Sequence, residues 1–420
     1  MNRSKLFTVF LIVVIDLMGF GIVLPLLPFY ANQFSASPVA IGLLFSVYSL
    51  AQLIFSPIWG GLSDRFGRRP IMLMSTAGAS IAYLIFAFAP SFVWLFFSRL
   101  FAGIMGGNIA TAQAYVTDIT PPHERAHGMG ILGAAFGIGF TVGPALAAAC
   151  RFPFVIDFLH HIHAPAFLSE SPYALAGIIA SLMSALSFIF VCFFLSETVH
   201  AKEAAESVSG TSVFTSRFWQ RVFAKSNGIL PYVFAILIFC VFILAFSQSS
   251  LYSAFPLFCE QKLHLKDWEV GMQYGFMGLL AVFIQGGLIR PLSRRIAEHK
   301  LFLAGSVFLV IGLLSIPWTR SVPQLMVALA VMAIGANLAL PTLNSMVSQQ
   351  AGPNQAGATM GTSQGMAGLG RVLGPTWGGW LFSYSVVYPF VFTACVACFL
   401  VIIGVLLVVK HRGQPIRSTS

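Results

Sequence analysis

Asp16 lies about ten residues into an apolar run that starts near Leu6, in the stretch Asp16-Leu-Met-Gly-Phe-Gly-Ile-Val-Leu-Pro-Leu-Leu-Pro28. An ionised carboxylate at the centre of a membrane helix costs roughly 2.5 to 3.5 kcal/mol on insertion scales, so such a group is kept for a partner or a wet cavity. Arg99 is a cation inside another apolar run. At about 1.5 Å per residue, Asp16 lies roughly 15 Å above the inner end of its run and Arg99 roughly 11 Å below the outer end of its own, in a core about 30 Å thick. The two therefore share a depth. Protonating Asp16 would remove its charge and free Arg99, which links proton binding to helix contacts or ligand affinity. A static ion pair is the competing reading. All nine histidines fall in loops or tails, leaving Asp16 as the one clear intramembrane acid.

A second constellation, Gly60-Gly61-Leu-Ser-Asp64-Arg65-Phe-Gly67-Arg68-Arg69-Pro70, follows the second apolar run. Its glycines permit sharp turning, and Arg65, Arg68 and Arg69 are expected at the negative carboxyl end of that helix. Asp118 ends the fourth run on the same face, so Asp64, Arg68 and Asp118 can close an inner mouth in one state and part in another. A purely topogenic basic turn is the alternative. Arg371 has no intramembrane acid in its own half of the chain, and it reads either an anionic or carbonyl group or its own helix's carbonyls. Gln52, Asn108, Gln113, Gln248, Asn337 and Asn344 are candidates for lining a substrate cavity. Gln285 and Gln364 complete the intramembrane polar set, in which some residues line the path and others bond helix to helix.

The elements that must hold these groups follow from composition. The chain has 57% hydrophobic and only 9% charged residues, far from the soluble average of about 25% charged. Twelve runs are long enough to cross a bilayer: 6–30, 39–61, 71–89, 92–117, 128–150, 173–195, 228–255, 269–289, 301–319, 324–347, 357–382 and 388–409. The first is too long for a cleaved signal and is taken as retained segment 1. With both termini inside, 17 of the 23 cations fall in inner segments and 4 in outer loops, Arg99 and Arg371 being intramembrane. That asymmetry predicts a multi-pass protein of the cell (inner) membrane with both termini cytoplasmic, and it accounts for the net charge of +10 without nucleic acid. Cys395 and Cys398 form a CxxC inside segment 12, where an apolar filling role is expected. Asp157, His160, His161 and His163 share an outer loop, but their spacing matches no standard site and no metal is assigned. No GxxxxGK[ST] loop occurs, and no cofactor is implied.

The polar stretch 197–227 divides the segments six and six, predicting an N-terminal bundle over 1–196, a cytoplasmic linker, a C-terminal bundle over 228–410 and a tail over 411–420. Internal repetition agrees. Gly139-Phe-Thr-Val-Gly143-Pro144 recurs as Gly370-Arg-Val-Leu-Gly374-Pro375 at an offset of 231, with Gly378 and Gly379 where the first copy has Ala147 and Ala148. Gly106-Gly-Asn108-Ile-Ala110 recurs as Gly335-Ala-Asn337-Leu-Ala339 at 229. Repeated halves are typical of secondary transporters. The acids do not repeat: Leu244 falls near where Asp16 should recur, and Arg294 matches Asp64.

These residues resemble a family. Gly61-x-Leu-Ser-Asp64-Arg65-x-Gly67-Arg68-Arg69 is similar to the signature loop of the major facilitator superfamily, while Gly139-x-x-x-Gly143-Pro144 and Arg99-x-x-x-Gly103 resemble motifs of its drug:proton antiporter branch. Asp16-x-x-Gly19-x-Gly21-x-x-x-Pro25-x-x-Pro28 matches the branch's segment 1 pattern, and Ala114-Tyr-Val-Thr-Asp118 looks close to tetracycline/proton exporters. The resemblance implies an all-α membrane protein of twelve transmembrane helices in two pseudo-symmetric six-helix bundles. It departs at Ala82, Leu309 and Ala281, where tetracycline exporters carry two carboxylates and a histidine, so recognition of a metal-tetracycline complex is not carried over.

The reading is a monomeric, non-enzymatic transporter whose partners are a small-molecule substrate, protons and the lipid bilayer. It exports lipophilic molecules by proton-coupled alternating access, with Asp16 and Arg99 coupling the proton and the Asp64, Arg68 and Asp118 cluster latching the inner mouth. Gly139, Gly143, Pro144, Gly370, Gly374, Pro375, Gly378 and Gly379 provide close, mobile helix contacts. A proton-coupled importer or metabolite exporter of an anionic solute, and a non-transporting receptor or scaffold, stay open as alternatives.

Overall fold

The computed structural model describes residues 3–121, 124–162, 165, 173–198, 231–350 and 356–411, and among them the fold is built from helices. Eleven spans are long and apolar enough to cross a membrane. The remaining expected segment also forms a helix, Ala356–Phe382, whose glycines, threonines and glutamine make it less apolar. The described residues group into two compact units. The first contains those below residue 199 together with Phe255–Leu279, and the second contains 231–254, 280–350 and 356–411.

In the first unit, α1 (Arg3–Gln33) is apolar around its whole circumference, as a helix buried on most sides must be. It packs on α6 (Arg125–Arg151) and α8 (Ala174–Phe194). α2 (Pro38–Phe66) starts with Ser37 accepting the Ala40 N–H at 3.2 Å and Pro38 in the first turn, where a missing N–H costs nothing. Gly67 alone joins α2 to α3 (Arg68–Ala87), with φ at +103°, a value that favours glycine. Segment 4, expected as one helix, is broken at Gly106 and Gly107 into α4 (Phe92–Met105) and α5 (Asn108–Ile119). Side chains from neighbouring helices satisfy the carbonyls around the break. Trp59 Nε1 donates to Ile104 at 2.5 Å, Gln52 Nε2 to Gly106 at 3.3 Å, and Ser75 Oγ to Met105. Irregular backbone at membrane depth persists only with such partners. The loop after α6 contains a short helix, α7 (Pro153–His161), which ends on His160 and His161. His163 lies outside the described residues.

The hairpin of Phe255–Leu279 joins the end of α9 (Pro231–Leu263) to the start of α10 (Asp267–Phe283), and specific contacts tie it to the first unit. Arg151 Nε donates to Asp267 Oδ2 at 2.6 Å, and Asn32 Nδ2 to Glu260 Oε2 at 2.7 Å. Gly271 backs onto Ala148 and Gly278 onto Thr141.

In the second unit, a π-helical turn at Ile284–Leu288 continues the line of α10 into α11 (Ile289–Arg295). α12 (Glu298–Ser315) packs on α13 (Val322–Ser348) and α15 (Tyr388–His411). The remaining helix, Ala356–Phe382, is α14. Cys395 and Cys398 are unbonded and exposed on α15. Of the expected linker, only Glu197 and Thr198 are described, and of the expected tail only His411.

Candidate functional site

Asp16 is half-buried in the interior of α1. One turn on, Gly19 leaves room for the Tyr83 ring of α3, which would stand 3.2 Å from an added Cβ. Tyr83 is within electrostatic reach of Asp16, Tyr48 and Arg99. Arg99, on α4, is only 2% exposed. Its Nε donates to Ser98 Oγ at 3.3 Å, and its guanidinium lies 5.1 Å from the Phe86 ring centre and 5.7 Å from that of Tyr83. Ring faces stabilise a desolvated cation. The two charges expected at one depth therefore meet at a shared neighbour, Tyr83. Sequence reasoning missed this residue because an aromatic in an apolar run carries no distinguishing pattern. A space of about 10 Å³, walled by Phe20, Leu24, Phe45 and Tyr48, lies beside Arg99.

Next to the acid, α1 and α6 cross backbone to backbone. A Cβ on Gly21 would stand 3.0 Å from both the Gly139 carbonyl and Gly143 Cα, and also 3.0 Å from Pro144 Cδ. Gly143 in turn faces Met18 and Gly21. The repeated motif on α14 faces α9 instead: Gly370 meets Phe242 and Phe246, Gly374 meets Ser249, and Gly378 meets Ser250. Ser249 Oγ donates to the Gly370 carbonyl at 3.0 Å and Ser253 Oγ to the Pro375 carbonyl at 2.7 Å. Gly379 is buried, and its carbonyl accepts the Ser383 N–H.

The structure brings Asp64, Arg68 and Asp118 together, as expected from their placement on one face of the membrane. Arg68 pairs with Asp64, its Nε donates to Asp118 Oδ2 at 3.0 Å, and its Nη1 donates to Ser63 Oγ at 2.7 Å. One placement differs from expectation. Arg68 and Arg69 open α3 rather than closing α2, because the chain turns at Gly67; only Arg65 sits in the last turn of α2. Two cations at a helix amino terminus oppose its dipole, and an acid missed in the sequence offsets them. Glu197 accepts the backbone N–H groups of Arg68 at 2.8 Å, Arg69 at 3.1 Å and Thr198 at 2.9 Å. The only sequence signal was an acid just beyond segment 6. Arg69 Nη2 donates to the Cys192 carbonyl at 2.6 Å, Arg65 lies over Phe66, and Gly61 is exposed.

Among the polar cavity candidates, Gln52 serves the helix break, while Gln113, Gln248 and Asn344 are half-exposed. Asn337 bonds Gln285. Arg371 is half-exposed with Tyr252 in electrostatic reach. The side chain of Asn108 lies outside the described residues.

The family model described as Major Facilitator Superfamily matches residues 9–320 and 286–420. The chain is 28% identical over 392 residues to the tetracycline resistance protein, class H, of Pasteurella multocida, covering 92% of this chain and 91% of that one. It is 30% identical over 394 residues to major facilitator superfamily domain-containing protein 10 of Bos taurus, covering 90% and 80%. Among solved structures, the human organic anion transporter MFSD10 superposes with a TM-score of 0.70 at 25% identity, covering 96% of this chain and 99% of that one. A bacterial homologue of the human lysosomal transporter Spinster superposes at 0.73 and 17% identity, covering 98% of both, and supports the fold alone.

Proposed function

Because the chain belongs to the major facilitator superfamily, we propose that it exports lipophilic small molecules in exchange for protons, by alternating access. The observation that carries the reading is Asp16, a carboxylate inside apolar α1 that shares Tyr83 with the buried Arg99. Asp16 takes up and releases the proton, and Arg99 senses that change through the tyrosine. The Asp64, Arg68 and Asp118 cluster latches the inner mouth, and the glycines of α6 and α14 let helices shift. Gln113, Gln248, Asn337, Asn344, Arg371 and Asn108 are offered as cargo contacts. Both termini lie on the cytoplasmic side of the cell's inner membrane, and bundles 1–196 and 228–410 are joined by the linker. The tetracycline resistance relatives support export as the direction. Cargo identity is not inherited with it: Ala82 and Leu309, where the sequence departs from the tetracycline-exporter pattern, are buried apolar residues.

The test is accumulation of a fluorescent lipophilic cation, ethidium, in everted vesicles carrying the chain. An acid lumen should raise accumulation several-fold over vesicles lacking it, and a protonophore should abolish the difference. Accumulation indifferent to the pH gradient argues against the reading. A second reading, export of organic anions, is favoured by half-exposed Arg371 and by the solved relative named as an organic anion transporter. An Arg371→Ala variant that handles anionic and cationic dyes alike would remove it.

A further inference from the structure

The π-helical turn at Ile284–Leu288 carries a polar arrangement that the proton-coupling reading does not use. Gln285 Nε2 donates to Asn337 Oδ1 at 2.6 Å across to α13, and Asn337 Nδ2 donates to the Ala333 carbonyl at 2.8 Å. The second bond fixes the Asn337 amide with its oxygen towards Gln285, and that in turn fixes which end of the Gln285 amide donates. Both oxygens and one N–H of each amide retain bonding capacity.

Depth and exposure together say what faces this pair. Gln285 is ten residues from the end of α11 and Asn337 eleven from the end of α13, so each lies about 15 Å or more from either end of its helical run, near the centre of an apolar core about 30 Å thick. A bond serving only to glue two helices would be closed over by them, yet this one is exposed. An exposed amide with unused bonding capacity at that depth would face hydrocarbon only at a desolvation cost, which favours a wet surface beside it. Gly286 and Gly287 follow it, and a Cβ on either would meet no atom within 4 Å. The open ground beside the amides has room for a ligand, and π-helical turns are frequently found at functional sites.

We infer that Gln285 and Asn337 form a preorganised amide pair that binds the neutral carbonyl, hydroxyl or amide groups of a lipophilic cargo. The inference rests on the transport reading and deepens it by naming a class of cargo group. The pair supplies donors and acceptors but no charge, so it selects molecules by hydrogen bonding where Asp16 and Arg99 respond to protons.

Two measurements on the full chain test it, and neither needs a proton gradient, so a failure of proton coupling would leave both unchanged. The first is labelling of a Gln285→Cys variant, with the native cysteines replaced, by a water-soluble methanethiosulfonate. Labelling within tenfold of the rate of an exposed loop cysteine is expected. The second is equilibrium binding of two probes: chloramphenicol, neutral and rich in hydroxyl and amide groups, and tetraphenylphosphonium, which has none. Gln285→Leu and Asn337→Leu should each weaken chloramphenicol binding at least fivefold, the double variant should lose no more than either single one, and tetraphenylphosphonium should shift less than twofold. Absence of labelling, failure of the unaltered chain to bind chloramphenicol, or equal losses for both probes would each overturn the assignment.

Discussion

Gly143 of α6 lies against the backbone of Gly21 and Met18 on α1, whereas its counterpart Gly374 of α14 faces the Ser249 hydroxyl and Phe246 carbonyl of α9. The first crossing is backbone on backbone, with Asp16 two residues before Met18. In the second, the serine hydroxyls of α9 are bonded to the carbonyls of Gly370 and Pro375. One duplicated motif thus gives a smooth contact beside an acid in one unit and a stapled contact without one in the other. The inner loops diverge in the same direction. Arg68 is held by Asp64, Asp118 and Ser63, while Arg294, at the position matching Asp64, is exposed and has no side-chain partner among the described residues. At these matched positions the acids lie in the first unit, and the second unit has serine hydroxyls at the crossing and an arginine in the loop.

The largest contrast should come from the loops. Breaking a buried pair costs about 3 to 5 kcal/mol. Asp64 and Asp118 remain 29% and 30% exposed, so solvent screening reduces the expected loss for Arg68→Ala to about 2 kcal/mol. Arg294→Ala should stay within about 0.5 kcal/mol. Thermal midpoints of the two purified variants check this, and equal shifts would erase the asymmetry. At the crossings, Gly143→Ala forces a methyl onto the α1 backbone, and overpacking of this kind costs about 1 to 3 kcal/mol. Unfolding in detergent should show it, and a neutral result would mean that α1 and α6 can separate freely. Ser253→Ala removes one staple and should cost about 0.6 kcal/mol, the average for interhelical hydrogen bonds in membranes. If it instead cost as much as Gly143→Ala, the second crossing would depend on that bond rather than on packing.

Much of this organisation was legible in the sequence. Run lengths predicted the helices, the offset of the Gly-x-x-x-Gly-Pro copies predicted the repeat, and the placement of Asp118 at the inner end of segment 4, on the same face as Asp64 and Arg68, predicted side chains that do come together. The missed features share a cause. Glu197 reaches Arg68 across 129 positions, and Trp59 reaches Ile104 across 45. Hydropathy and periodicity register only near neighbours, so a helix break repaired from another helix, or a helix start offset by a distant acid, leaves no local trace. The turn at Gln285-Gly286-Gly287 is intermediate. The glycine pair is visible, but the π-helical geometry and the bond to Asn337 depend on α13.

The most direct test of the first unit's role separates movement from coupling. Proteoliposomes carrying wild-type chain or Asp16→Asn would be loaded with ethidium and assayed twice, for exchange at equal pH on both sides and for accumulation under an imposed pH gradient. Asp16→Asn should keep exchange within about threefold of wild type while losing gradient-driven accumulation by a factor of ten or more, a difference of about 1.4 kcal/mol or greater. Accumulation by Asp16→Asn equal to that of wild type would contradict the assignment of proton coupling to Asp16.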